Sequence, residues 1–493
     1  MTQPFYKMKN CESADIGNIN ENSIEDFFAN AVSMLKDDLR PVHFFAVPFK
    51  EEKKLLMIFA DDKNNDLSVI MSKPVPGNLR WDSLTAGFSC MNMLEREIHE
   101  DEGFVPVNHP WLKPVRNTDD YQFFKIDGKD VHEVGVGPVH AGVIEPGHFR
   151  FNCAGEKVLH LEISLGYQKR GVEKLMLRHS EKFGFNNIHQ LAESIAGDTV
   201  AGHTWAWAAV TESLSDTKIS QEAQIIRFLA LEMERAAMHA ADLGALANDV
   251  AYLPGNSVYG ANRTLIINSM LEICGSRFTR GLIRSGGVRF GITKEKAKKI
   301  VETIYQAKYN MDACAKVMFS SASVLHRFES TGIVTKEQAK AIGMTGMTAR
   351  ASGLQNDVRI SHPLRGTEDF KSGHFVFESG DVMARAMIRD CELSDSLFKC
   401  SEILRNYNLE KPDCSPVNEL KKNSISISMV EGWRGEISHC AITDETGRLI
   451  RYKIKDPSLN NWFGLALAVR NNGISDFPLC NKSFNLSYCG NDL

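Results

Sequence analysis

The chain lacks the features that would mark a disulfide scaffold, a metal module or a membrane span. Its eleven cysteines are an odd number, scattered from Cys11 to Cys489, and no C-x-x-C occurs. That spacing excludes a disulfide framework, a zinc ribbon and an iron–sulfur ligand run. It fits a reducing, cytosolic compartment, with most thiols buried as small hydrophobes. No window approaches the ~18 consecutive apolar residues of a membrane-spanning helix. The opening MTQPFYKMKNCESAD has no apolar core, so no secretory leader is expected. Membrane attachment would therefore run through partner proteins. Positive charge is not in surplus: Lys+Arg number 57 against 62 Asp+Glu, a net −5. A nucleic-acid partner, which calls for a basic domain or stripe, is not expected. No Gly-x-Gly-x-x-Gly follows a strand, and P-loop, nucleophile elbow and His-Glu-x-x-His are missing. There are no internal repeats and no low-complexity segments.

With 493 residues, 43% of them hydrophobic, the chain can form at least one large core. The length suggests two to four domains. Residues 1–120 read as a small α/β domain. Within it, Asn22–Asp38 opens with Asn/Ser ahead of acids, a helix-start signal. HFFAVPF and KLLMIFAD read as strands, and residues 79–103 as a helix ending at Gly103. Residues 121–133, inside a longer polar stretch from Lys113, are the expected linker. From 134 the texture changes. HFRFNC (148–153) and KVLHLEISL (157–165) alternate strictly about a turn at Ala154-Gly155-Glu156, a hairpin signature. Helices are expected over 188–215, 220–249, 293–328 and about 379–407, with a capping box at Thr335–Gln338. Strands return at 423–432 and 448–455, with Asp444–Gly447 as a turn. The fold class expected is α+β: a small N-terminal α/β domain, then a large, mainly helical bundle (134–493) with small peripheral sheets. Such bundles place ligand sites between facing helices.

Four stretches invite chemistry. ESIAGDTVAGHTWA (193–206) sets Asp198 and His203 among small residues, which allow another body close to the backbone. In 220–249, Glu232, Arg235, His239 and Asp242 recur at spacings that place them on one helical stripe. That stripe is either a solvated face with paired charges or a buried polar chain able to hold or pass protons. If buried, its charges need partners. The loop GVGPVHAGVIEPGHFRF (135–151) carries His140 and His148 among Gly and Pro. Its histidines are either structural or proton donors. GMTGMTARASGLQNDVRISHP (343–363) sets Arg350 among small residues ahead of Asp357 and Arg359. This Arg either presents a fixed fork to an anion or staples the loop through an Arg–Asp pair.

Taken together, these segments resemble a known family. GPVHAGVIEPGHFRF, LEISLGYQKRGVEKLM (161–176), LEMERAAMHAADLGALAND (231–249), ARASGLQNDVR (349–359) and GDVMARAMIRDCE (380–392) are similar to the large subunit of energy-converting, membrane-bound [NiFe]-hydrogenases. They are equally similar to the 49-kilodalton-type quinone-site subunit of respiratory complex I. LEREIHEDEGFVPVNHPWLK (94–113) resembles the 30-kilodalton-type subunit, which is fused to the former in formate-hydrogenlyase-type large subunits. The hydrogenase motif E-R-x-C-G-x-C-x-x-x-H corresponds to Glu193 through His203, with Ala196 and Thr199 at the two thiolate positions. The C-terminal D-P-C-x-x-C motif corresponds to Asn485 through Gly490, with Ser487 and Gly490 at its cysteines. Ala and Gly cannot ligate, and hydroxyls suit soft nickel and iron poorly. Hydrogenase activity and a bound metal are not expected.

The complex I resemblance implies instead a quinone pocket where the metal once sat. His140 matches the loop histidine of that pocket, while its tyrosine position falls at Gly197. The implied function is a subunit of a membrane-associated oxidoreductase complex. Electrons would pass from a 4Fe-4S cluster in a small partner subunit to quinone, or another small acceptor, coupled to ion translocation. His140, Asp198, His203 and Arg350 would be the catalytic set. His148, Gly197, Thr199 and Asp357 would line the cavity, and Glu232, Arg235, His239 and Asp242 would relay charge. The alternative is a non-catalytic coupling or scaffold subunit with a relict cavity. Either way the resemblance implies ion-transporting membrane subunits as partners. It also implies a peripheral place on the cytoplasmic side of the inner membrane. The chain itself would bind no cofactor, with the possible exception of quinone.

Overall fold

The computed structural model describes residues 4–117, 121–140, 144–367, 370–412 and 414–493. The fold is α+β, a helical body carrying several small sheets. Near the N-terminus, Ser23 caps the helix Ile24–Lys36 by accepting from Asp26 N. This helix covers one face of a five-stranded sheet: Tyr6–Met8, Asp66–Ser72, Glu52–Asp61 and Arg40–Phe49 run antiparallel in that order, and Glu21–Asn22 pairs in parallel with Asp66–Ser72. Strand alternation splits the apolar residues between two faces. Phe44, Met57 and Ile70 meet Phe27 and Met34 under the helix. Phe45, Leu56, Ile58 and Val69 instead meet Ile425, Ile427, Cys440 and Ile442 of a second sheet. That sheet runs Leu449–Lys455, Glu436–Thr443, Ser424–Glu431, and its edge is completed by the N-terminal strand Ser13–Asp15. The N-terminal unit is therefore stitched to the C-terminal strands by shared backbone bonds and a shared core.

The stretch from Lys113 expected to connect the two parts is pinned rather than free. Lys113 Nζ donates to Ile163 O at 2.9 Å. Arg116 donates to Glu97 and to Asn491 O. Val131–Val136 is itself a strand, paired with the hairpin strand His148–Ala154. In that hairpin Phe149, Phe151 and Cys153 face the core, as strict alternation demands.

The body is organised around the helix Gln221–Asp249. Leu253–Cys274, Val382–Asn406 and Val200–Leu214 pack on it, and Lys294–Met318 adds a further layer on two of these. Because the central helix is covered on nearly all sides, both its apolar and its charged residues are buried. The capping box at Thr335–Gln338 is present.

Three expectations from the sequence fail for local reasons. Residues 79–91 contain only the short 3-10 turns Leu84–Ala86 and Ser89–Met91; α-helix begins at Asn92. The buried Glu95 carboxylate accepts from Trp81 Nε1, Ser83 Oγ, Leu84 N, Thr85 N and Thr85 Oγ1, which holds that segment as a loop. The helix expected over 188–215 breaks at Glu193–Thr199. There Glu193 accepts from Gly281 N and the Asp198 carbonyl accepts from Trp433 Nε1, bonds that outweigh helix continuation. The helix expected over 293–328 splits between Met318 and Ala322. The helix Leu253–Cys274 has no counterpart in the sequence reading. Its Leu-Pro-Gly opening reads as a breaker, yet Pro254 sits in the first turn, where its missing N–H costs nothing.

Candidate functional site

The break at Glu193–Thr199 brings Asp198 to the start of the helix Val200–Leu214. Against it lies Arg434, from the turn between two C-terminal strands. Arg434 Nη1 and Nη2 donate to Asp198 Oδ1 and Oδ2, both at 2.8 Å. Nη1 also donates to Thr199 Oγ1 at 3.1 Å, Nε donates to Asn485 O at 2.5 Å, and the guanidinium stacks 3.9 Å over the Trp433 ring. Burial alone pushes the Asp198 carboxyl up, but the Arg434 charge and hydrogen bonds outweigh it and hold it below the usual range. Arg434 thus bridges the loops that carry Thr199 and Asn485. Neither Arg434 nor Trp433 was singled out in the sequence.

The four positions where the hydrogenase pattern has cysteine are all buried and already committed. Ala196 is enclosed apolar surface. Thr199 Oγ1 accepts from Arg434. Ser487 Oγ caps the C-terminal helix by accepting from Gly490 N at 2.9 Å. A Cβ at Gly490 would lie 2.5 Å from Asp456 Oδ2, so a side chain there would displace that carboxylate. This donor set, with a guanidinium among it, does not suit a soft metal pair.

Behind Gly490 a second group of buried side chains forms a line. His203 Nε2 lies 3.2 Å from Asp456 Oδ2, His203 Nδ1 lies 3.0 Å from His439 Nε2, and His439 Nδ1 lies 2.6 Å from the Tyr452 hydroxyl. Burial pushes Asp456 up, but its His203 hydrogen bond and the Arg434 charge hold it below the usual range. An ionised Asp456 requires the proton on His203 Nε2. His439 is held well below the ordinary histidine range by burial and by the neighbouring rings of His203 and His43.

The stripe Glu232, Arg235, His239, Asp242 is no solvated face. All four are 3% exposed or less. Their partners come from the helix Val382–Asn406, from Arg359, from the end of the strand Ser424–Glu431 and from Asn485. Glu392 is the hub. Its Oε1 accepts from Arg350 Nη2 at 2.6 Å and from Arg359 Nη2 at 3.0 Å, and its Oε2 accepts from His239 Nε2 at 2.8 Å. Arg350 also donates to Glu431 Oε1, and Arg359 to both Asp357 oxygens. Arg235 pairs with Glu232 and donates to the Glu431 and Gly432 carbonyls. At the far side of His239, Arg389 Nη1 lies 3.3 Å from Nδ1 and forms an ion pair with Asp242. Asp242 accepts from Asn485 Nδ2, and the Asn485 carbonyl accepts from Arg434. The network thus continues without interruption from Asp357 to Asp198.

Its charges do not balance locally. Four carboxylates, Glu232, Asp357, Glu392 and Glu431, face three guanidinium groups, Arg235, Arg350 and Arg359. Glu392 is held well below its usual range: burial opposes this, and Arg350 and Arg359 overcome it. The surplus falls on Glu431, which burial and the Asp357 charge push up. Burial also holds His239 down at about 4, so it donates to Glu392 as a neutral ring. One turn of helix from His239, on another side, Glu234 accepts from Ala201 N and Gly202 N, and burial pushes it up to about 8.

The expected catalytic set is therefore distributed. Asp198, Arg350 and the whole stripe join one network, His203 belongs to the line behind Gly490, and His140 stands apart. His140 Nε2 is 3.1 Å from Gly147 O, and His148 Nδ1 is 3.0 Å from Gly137 O, so both rings brace their own loop. Residues 141–143 of that loop lie outside the described residues. Gly197 is exposed, with open space where a side chain would stand.

Residues 249–423 match the family described as respiratory-chain NADH dehydrogenase, 49 Kd subunit. The chain is similar to the complex I 49-kilodalton and membrane-bound hydrogenase subunits. Hydrogenase-4 component G of Escherichia coli is 26% identical over 81% of this chain and 73% of its own length. An NADH-quinone oxidoreductase subunit of Chloroherpeton thalassium is 27% identical over 62% of this chain and 66% of its own. A chain of the membrane-bound sulfane sulfur reductase, an archaeal respiratory membrane complex, shares the fold with a TM-score of 0.67 at 22% identity. The match covers 75% of this chain and all of that one. Among the described residues no helix is long and apolar enough to cross a membrane, whereas relatives of the chain include a membrane-bound hydrogenase subunit of Pyrococcus furiosus, 26% identical over 72% of this chain and 85% of its own.

Glu392, Arg389, Glu431, Asp456 and His439 escaped the sequence reading. Glu392 and Arg389 lie inside GDVMARAMIRDCE, and their three-residue spacing along a helix was the signal available for them. His439 and Glu431 sit in strands whose partners are far away in sequence, and no local pattern points to them.

Proposed function

We propose that this subunit serves a membrane-bound respiratory oxidoreductase complex as a metal-free coupling element. Charge displacement around the Asp198–Arg434 pair is passed along the buried network to the far side of the body. Ion-transporting membrane subunits would respond to it there, and a small iron–sulfur subunit would supply the electrons. The N-terminal unit acts as the 30-kilodalton-type domain, and the subunit sits peripherally on the cytoplasmic face of the inner membrane. The observation that carries this reading is Arg434, which occupies the ground between Thr199 and Asn485 and is bonded to both sides. In such a network, a change in one charge alters the proton affinity of the next. The surplus carboxylate at Glu431 gives the network one site able to take up a proton.

A second reading is favoured by the open space at Gly197 and the half-buried His140. Quinone or another small acceptor would bind at that rim, against the partner subunit, with His140 donating a proton and Asp198 supporting it. Acceptor reduction by the purified, cluster-loaded complex separates the two. The coupling reading expects His140→Gln and Asp198→Asn to leave electron transfer to an artificial acceptor and to quinone at similar rates. A selective loss of quinone reduction in both variants would establish the second reading instead.

A further inference from the structure

A large cleft lies away from the network's Asp198 end, between the N-terminal unit and the body. It measures about 1130 Å³ and is walled by apolar side chains including Leu39, Phe88, Met344, Leu354 and Ile360. Two deeply buried polar side chains on its lining have no partner for an atom that needs one. Thr345 is 2% exposed, and its Oγ1 makes no hydrogen bond. Asn460 is 4% exposed. Its Nδ2 donates to the Gly343 and Ile342 carbonyls, which fixes the amide orientation, and its Oδ1 has no donor. A buried polar atom left unbonded costs roughly 1–3 kcal/mol, so two on one cavity wall call for an explanation.

The unmet hydrogen-bonding groups select the occupant. Several carboxylates on the lining are engaged: Asp62 by Arg40 and His362, Asp357 by Arg350 and Arg359, Asp38 by Lys340. Asp61 accepts from the amides of Lys63 and Asn64. At the deep end Lys455, 2% exposed, lies 3.6 Å from Glu436 Oε1, beyond hydrogen-bond reach, and Glu436 is already paired with Arg40 at 2.5 Å. Arg40 is shared in turn with Asp62, so the charges there balance, and what is left over is Lys455 Nζ, a buried cation with no hydrogen bond within 3.5 Å.

We propose that this cleft is a binding site for a small carboxylate with an apolar ring and a hydroxyl or amide donor. The carboxylate meets Lys455 and the Thr345 hydroxyl, the donor meets Asn460 Oδ1, and the ring lies against Phe88 and Met344. Asn356 and Asp357 also line the cleft, and the Asn356 carbonyl accepts from Arg350, so an occupant touches the end of the ion network. The site stands on the cleft's own groups and does not depend on how the network functions.

The test is calorimetric titration of the full chain with 4-hydroxyphenylacetate and with its neutral counterpart 4-hydroxyphenylethanol. The carboxylate is expected to bind at least about tenfold more tightly than the alcohol. Thr345→Val removes a hydroxyl that bonds nothing inside the protein, so its thermal unfolding should match or exceed the parent's. It should nonetheless weaken binding by about fivefold or more. Lys455→Met should abolish the preference for the carboxylate. No binding of either compound, equal binding of both, or undiminished binding by a folded Thr345→Val chain would each overturn the assignment.

Discussion

Arg434 presents two guanidinium nitrogens to the two oxygens of Asp198, each at 2.8 Å, in the space between the loops that carry Thr199 and Asn485. The pair is not fully sealed: the Asp198 side chain is 33% exposed and that of Arg434 only 4%. Removing Asp198 strands a buried guanidinium. Asp198→Ala should cost roughly 2 kcal/mol, less than the 3–5 of a wholly buried pair because water reaches the acid. Asp198→Ala with Arg434→Met should recover much of that loss. Urea unfolding of the four species in a double-mutant cycle checks it, and additive losses would show that the two side chains act independently.

Glu392 is the carboxylate on which the buried network converges. It receives bonds from Arg350, Arg359 and His239; Glu392, Arg350 and His239 are buried, and the Arg359 side chain is 9% exposed. Glu392→Ala leaves two guanidinium groups short of a partner and should cost about 3–5 kcal/mol. Glu392→Gln, which keeps the shape and loses the charge, should cost less. Equal losses in thermal unfolding would mean that shape, not charge, sets its contribution.

His239 sets a pH limit. Burial holds its proton affinity down at about 4, while the unfolded chain titrates at the ordinary value of 6.5. The unfolded state therefore binds the extra proton first. The contribution of His239 is complete above about pH 6.5 and is lost as pH falls towards 4. Between about pH 7 and pH 5 this amounts to about 2 kcal/mol. His239→Gln should flatten that part of the stability–pH curve. An unchanged slope in the variant would assign the acid sensitivity to other groups.

Glu234 acts in the opposite direction. Its carboxyl is pushed up to about 8 by burial, against 4.5 in the unfolded chain. The folded state keeps a proton that the unfolded state releases, so this contribution is full below about pH 4.5 and declines as pH rises towards 8. Glu234→Gln mimics the protonated form and should match the parent's stability to within about 1 kcal/mol near pH 4 and exceed it by about 2 kcal/mol at pH 6. Its stability should also fall less than the parent's between pH 6 and 8. A large loss at pH 6 would mean that the two backbone amides at Ala201 and Gly202 hold an ionised carboxylate.

The sequence showed what its periodicities encode. The stripe on Gln221–Asp249 followed from three- and four-residue steps, and the hairpin at 148–164 from strict alternation. Whether the stripe was solvated or buried did not follow, because the helices that cover it come from residues 253–274 and 382–406. The Asp198 loop was conspicuous for its small residues, but its partner Arg434 lies in a turn hundreds of residues away. The line Asp456–His203–His439–Tyr452 was hidden for the same reason: three of its four members sit on C-terminal strands or the turn after them, and only the fold aligns them. Tyr452→Phe would leave His439 Nδ1 unpaired at a cost of about 1–3 kcal/mol, measurable by thermal unfolding.

The most direct test of the coupling account is ion translocation per electron in the intact complex reconstituted into vesicles, comparing the parent chain with Glu392→Gln. Redox turnover should persist in the variant while the membrane potential generated per turnover collapses. If potential and turnover stay in their original ratio in a fully assembled Glu392→Gln complex, the buried network does not couple the two processes.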